Sequence, residues 1–222
     1  MMDCRLTTSH LYLKELSEAI ARFEGTTMEL IVDVLFEAYV NGTDVYIIGN
    51  GGSAALASHF ACDLAKNVTF ANGHRRLRAL SLTDNFSLMS AWSNDVSYES
   101  VFVEQLRNFL RPTDMVIAIS GSGNSPNVVR ALEFARGMGA KTVGITGRDG
   151  GQVATLCDPC LIVPAHNMQI IEDLHTITIH AVSSALYNRI NAWQSENVEG
   201  TVDIASARTS TNYRVLGEAR SA

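Results

Sequence analysis

The side chains able to move protons or hold a cation are concentrated in two short segments. In the first, His59 and Asp63 stand four residues apart, a spacing that puts both on one face of a helix. The second carries Glu172, Asp173, His175 and His180. Ideal helical geometry brings Asp173 and His180, seven apart, onto nearly one face. Glu172 and His180, eight apart, diverge by less than a quarter turn, so either carboxylate can accompany His180. Imidazoles and carboxylates in this number suit a zinc ion. They serve equally as a general acid and base.

Two loops look built for an anion. Val45-Tyr46-Ile47-Ile48 runs into Gly49-Asn50-Gly51-Gly52-Ser53 and then into an Ala-rich stretch, the pattern of a buried strand, a tight loop and a helix. Glycines let backbone N–H groups approach a ligand, and a helix N-terminus favours negative charge. Ser120-Gly121-Ser122-Gly123-Asn124-Ser125-Pro126-Asn127 repeats the arrangement after another apolar run. There Ser125 is a good N-cap and Pro126 suits the first helical turn. Such a loop binds a phosphomonoester without Lys or Arg. A dinucleotide site is the competing reading, since Gly49-x-Gly51-x-x-Ala54 fits the loose fingerprint. That fingerprint also needs an acidic residue about twenty positions on, and residues 66–72 contain none.

Apolar segments around these motifs alternate with helical patterns. Strands are expected at 45–49, 78–82, 115–119, 142–146 and 161–163, and helices near 53–66, 85–93, 98–110, 126–138 and 169–193. Before them come two helices, one over 8–24 behind Thr7-Thr8-Ser9 and one led by a Thr26-x-x-Glu29 capping box and stopped at Gly42. Strand–helix alternation of this kind predicts a doubly wound α/β domain, a five-stranded parallel sheet flanked by helices. The domain is expected to fill 1–195. From 196 to 222 the periodicity fades, which predicts an extension that is flexible or packed on a partner subunit.

Composition narrows the function classes. With 222 residues and a net charge of −6, a nucleic-acid surface is disfavoured. No apolar run reaches membrane-spanning length, and Met1-Met2-Asp3-Cys4-Arg5 lacks an apolar signal core, so a cytoplasmic protein is expected with no membrane partner. Cys157-x-x-Cys160 has redox or metal spacing, but no second such pair accompanies it. Reduced thiols beside a strand are the expectation.

In combination, the motifs resemble the sugar isomerase (SIS) domain family, and within it the phosphoheptose isomerases. They are Asn50-Gly51-Gly52-Ser53, His59-Phe60-Ala61-x-Asp63, Asn94-Asp95, Ser120-x-Ser122-Gly123-Asn124-Ser125, Thr146-Gly147-x-x-Gly150-Gly151 and the helix from Glu172 to His180. The likeness runs from about 10 to 192. It implies an aldose–ketose isomerase that converts sedoheptulose 7-phosphate to a heptose 7-phosphate through an enediol. It also implies that Asn50, Gly51, Gly52, Ser53, Asp63, Asn94, Asp95, Ser120, Gly121, Ser122, Ser125 and Glu172 bind substrate. His59, Asp63, Glu172 and His180 fall on its zinc positions, and Asp63 and His180 on its catalytic ones. The resemblance further implies a homotetramer with active sites between subunits. A non-catalytic SIS module that binds a sugar phosphate or a protein partner is the alternative. Three departures stand out: Asp63 replaces the family's usual Glu, Glu172 its usual Gln, and Gly121 the middle residue of its usual Ser-Thr-Ser.

Overall fold

A computed structural model describes residues 8–23, 25–69 and 75–197. Eight α-helices and five strands alternate along the described chain. The helices α1 (Thr8–Ala21) and α2 (Thr26–Asn41) precede β1 (Asp44–Gly49), α3 (Gly52–Ala65) and β2 (Arg78–Ser81). Next come α4 (Phe86–Asp95), α5 (Val103–Phe109), β3 (Met115–Ser120), α6 (Pro126–Gly137) and β4 (Lys141–Gly147). The series closes with α7 (Gly151–Leu156), β5 (Cys160–Val163) and α8 (Met168–Asn197).

All five strands pair in parallel, in the order β2-β1-β3-β4-β5. This is the doubly wound sheet expected from the alternation. The chain leaves β1 toward one edge and returns past it to β3. The crevice at the carboxyl ends of those two strands is therefore the topological switch point, where open α/β sheets bind ligands. Register pairs Gly49 with Ile119, so the Asn50–Ser53 and Gly121–Ser125 loops emerge side by side.

Burial on both faces explains the near-continuous apolar strands. Tyr46, Ile48, Val116 and Ala118 pack with Val101, Phe102, Leu106, Val128, Leu132 and Val153 on the face covered by α5, α6 and α7. Val45, Ile47, Ile117 and Ile119 alternate to the other side and are fully buried. That side is covered by α2, α3 and α8, which supply no residue to the first cluster.

Three local expectations change. Thr26 begins α2, but Gly25 is its N-cap and no side chain caps it, so the capping box does not form there. Gly42 does end the helix, in the left-handed region at φ 70°. The expected helix over 98–110 divides into a 3-10 turn, Tyr98–Ser100, and α5. Adjacent positions on one α-helix point about 100° apart, whereas the break lets Val101 and Phe102 both bury completely. Residues up to 190 form one compact unit. That unit holds the sheet and every candidate site residue. Of the expected extension, all beyond 197 lies outside the described residues, as do Thr7 and residues 70–72.

No described helix is long and apolar enough to cross a membrane.

Candidate active site

His59 and Asp63 occupy successive turns of α3, and His180 comes from α8. The two imidazoles meet edge to face with centroids 5.0 Å apart. His59 Nε2 lies 3.7 Å from Asp63 Oδ2. One ligand atom from each of His59, Asp63 and His180 lies within 4.8 Å of the others. Asp63 is buried while both histidines are exposed. A carboxylate held in the protein between two accessible rings can take a proton from a ligand with little competition from water. The donors also fit a divalent cation: imidazole nitrogens and a carboxylate oxygen are zinc's usual hard and borderline ligands.

Glu172 is not part of this triad. Its carboxylate lies against the first residue of α3, where a Cβ added to Gly52 would stand 2.8 Å from Glu172 Oε1. The start of α3 carries the positive end of the helix dipole, and a carboxylate there is stabilised. Glycine at 52 is what makes room for it. Gly52, Ser53, Leu56, His59, Glu172 and His175 line a cavity of about 310 Å³ between α3 and α8. Asp173, the other carboxylate that spacing allowed beside His180, instead accepts a 2.6 Å hydrogen bond from the Tyr12 hydroxyl of α1. That bond and burial push the Tyr12 phenol up to about 12.

Paired amides join the two anion loops. Asn50 Nδ2 donates to Asn127 Oδ1 at 2.8 Å, and Asn127 Nδ2 donates to Asn50 Oδ1 at 2.9 Å. The Tyr98 hydroxyl adds a third bond, 2.9 Å to Asn50 Oδ1. Asn127 is nearly fully buried at the start of α6. Tyr98 and Trp92 flank Asn94-Asp95 in the sequence, where either could shape a pocket or pack in the core, but residue order does not reveal the bonds of Asn127 and Tyr98 to Asn50, 77 and 48 residues away. Trp92, by contrast, packs on the sheet core.

Ser125 is the N-cap of α6 and Pro126 opens it, but the Ser125 side chain makes no capping bond. Ser122 Oγ accepts from Asn124 N at 3.3 Å, and Ser120 is buried at the end of β3. At Gly121 a Cβ would fall 2.6 Å from Met168 Sδ. Met168 thus fills the space that a side chain at 121 would need. Asn94 and Asp95 sit exposed on the last turn of α4, bonded to each other at 2.8 Å.

His175 faces inward from α8, wholly buried, with neither ring nitrogen hydrogen-bonded. Burial lowers its pKa from 6.5 to about 4, with the Thr146 backbone opposing. The unfolded chain therefore binds a proton through this interval that the folded chain refuses. Stability is complete above pH 6.5 and is expected to drain away as pH falls toward 4, by about 3 kcal/mol in all. Urea unfolding at pH 7 and pH 4.5, on wild type and on His175→Leu, measures this. The pH sensitivity should shrink in the variant.

Cys157 and Cys160 belong to the β5 edge of the sheet and not to the site. Burial raises the Cys157 thiol to about 12, with Cys160 adding to it, and burial raises Cys160 to about 11. Thiols so raised are poor nucleophiles. Alkylation at pH 8 followed by mass spectrometry should label exposed Cys62 and spare both until denaturant is added.

Comparisons with known proteins identify the family. The SIS domain model matches residues 11–147. The chain is 39% identical over 177 residues to the phosphoheptose isomerase of Pelobacter propionicus, covering 80% of this chain and 93% of that one. With the phosphoheptose isomerase of Aliarcobacter butzleri it shares 38% identity over 177 residues, covering 78% and 93%. Among solved structures, a phosphoheptose isomerase from Neisseria gonorrhoeae superposes with a TM-score of 0.72 at 28% identity, over 81% of this chain and 98% of that one. The chain thus belongs to the SIS domain family and, within it, to the phosphoheptose isomerases.

Proposed function

We propose that this protein interconverts sedoheptulose 7-phosphate and an aldoheptose 7-phosphate, with Asp63 as base and His180 as its partner. The observation that carries this reading is the meeting of His59, Asp63 and His180 from two helices, beside a cavity that ends at the Gly52–Ser53 loop. Asp63 Oδ2 takes the proton from the carbon next to the carbonyl, and a cis-enediol forms. The same carboxylate returns the proton to the neighbouring carbon, while His180 moves the oxygen-bound proton. The phosphate sits at the start of α6 with Ser120, Ser122 and Ser125. Neither helix start has a side-chain cap, but the Glu172 carboxylate lies against the first residue of α3. Charge therefore sorts the two loops: phosphate at the second, sugar hydroxyls facing Asn50–Ser53 and Glu172 at the first. Asn94 and Asp95 complete the sugar-binding set in this reading.

His59, Asp63 and His180 would hold zinc. When bound, it supplies polarisation of the substrate carbonyl and of the developing enediolate. Leu11, Leu13, Ile20 and Leu30 of α1 and α2 expose apolar side chains, and burying them between copies supports a homotetramer. Among the described residues Cys62, Cys157 and Cys160 are free thiols, which fits the reducing, cytoplasmic setting of this reading.

Zinc-loaded protein incubated with sedoheptulose 7-phosphate should yield an aldoheptose 7-phosphate. Chelator-treated protein should yield much less. Absence of conversion by metal-loaded protein that still binds the sugar phosphate tightly would instead indicate the non-catalytic module.

A further inference from the structure

Asp63 is held from behind. The Asn67 side chain, in the 3-10 turn that follows α3, donates from Nδ2 to Asp63 Oδ1 at 2.7 Å. The other carboxylate oxygen, Oδ2, is the one that faces His59. One oxygen is thus tied to the protein and one is presented to the site. Aspartate has a single rotatable bond beyond Cβ, so fixing Oδ1 sets the direction of Oδ2.

We propose that Asn67 is the positioning residue for Asp63, and that the two act as one unit. The proposal rests on the reading of Asp63 as base and cation ligand. Its physical logic is reach. Aspartate is one methylene shorter than glutamate, so its oxygen arrives at the reacting centre only from a narrow range of side-chain angles. A misplacement of about 1 Å at a reacting group costs on the order of a hundredfold. A hydrogen bond to one oxygen of a ligating carboxylate is likewise the usual way in which a protein orients it. Asn67 is exposed, so the residue has no burial role to explain it. An amide suits the task better than an ammonium or guanidinium here: it orients the carboxylate without neutralising a charge needed for proton abstraction.

The test uses the full chain and three readouts: thermal unfolding, zinc affinity by titration calorimetry, and the kinetics of sedoheptulose 7-phosphate conversion. Asn67→Ala is expected to unfold at the wild-type temperature. Its kcat should fall about 10- to 100-fold with KM within about twofold, and its zinc affinity should weaken about tenfold or more. In an Asp63→Glu background the longer side chain no longer needs the tether, so Asn67→Ala should there cost less than threefold in either readout. Wild-type kcat and zinc affinity in Asn67→Ala would overturn the proposal. So would equal losses in the Asp63 and Asp63→Glu backgrounds, because Asn67 would then act independently of carboxylate length. The calorimetric arm decides the matter even if the sugar is misassigned. An active Asp63→Asn would instead refute the assignment of Asp63 itself, whatever Asn67 does.

Discussion

Asp63→Asn is expected to produce a folded protein whose turnover falls about a thousandfold or more. The substitution keeps volume and the ability to accept from Asn67, so packing around the buried side chain survives. What it removes is the one charged carboxylate among His59, Asp63 and His180. A neutral amide cannot take a proton from carbon, and neighbouring groups do not replace it: Glu172 lies outside the His59–Asp63–His180 cluster, against the start of α3, and Asp173 is bonded to Tyr12. His180→Gln should lose about a hundredfold, because the oxygen-bound proton has alternative routes through solvent at an exposed ring. Steady-state kinetics with circular dichroism as a folding control check both. Near-normal turnover in Asp63→Asn would remove the carboxylate from the chemistry.

The second large effect is expected at Gly123. Its φ is 65°, and a Cβ there would stand 2.0 Å from the carbonyl oxygen of Gly150. Gly123→Ala therefore combines a left-handed backbone penalty with a backbone collision that no rotamer relieves. The loop after β4 has to move, and with it the bonds that tie it to the serine loop: Val153 N to Gly123 O at 3.0 Å and Gln152 N to Asn124 Oδ1 at 3.0 Å. A loss of about 2–4 kcal/mol in stability is expected, measured by urea unfolding. Where the variant remains folded, KM for the sugar phosphate should rise at least about tenfold, because the serine loop to which the displaced segment is bonded is the proposed phosphate seat. A KM unchanged from wild type would place the phosphate elsewhere.

One effect depends on two helices meeting at the sheet and the other on two neighbouring loops, and these features differ in how far they can be read from residue order. The sheet itself is legible. Five short apolar runs separated by helical periodicity admit few arrangements other than a covered parallel sheet, because each strand must bury both faces. The glycine and serine loops are legible for a related reason: a helix start preceded by small residues after a buried strand has a local physical signature. His59 and Asp63 share a face because four residues make about one helical turn.

Other features depend on pairings across the fold. Spacing along α8 permits either Asp173 or Glu172 beside His180, and neither joins the triad in space. Tyr12, more than 150 residues earlier in the chain, takes Asp173, and Glu172 lies against Gly52 at the start of α3. The Asn50–Asn127 amide pair and the burial of His175 are equally invisible in residue order, since each depends on a helix arriving from a distant part of the chain.

By itself, then, the sequence determined the class of fold, the switch-point loops and the types of group available for chemistry, because these follow from periodicities and turn preferences acting over a few residues. The tertiary structure alone decided which carboxylate meets the two imidazoles, that Asn67 bonds to Asp63 and that the two loops are joined through Asn50 and Asn127. Those choices rest on hydrogen bonds and helix dipoles whose strength falls within a few ångströms, and only the packing of α1, α3 and α8 sets distances that short.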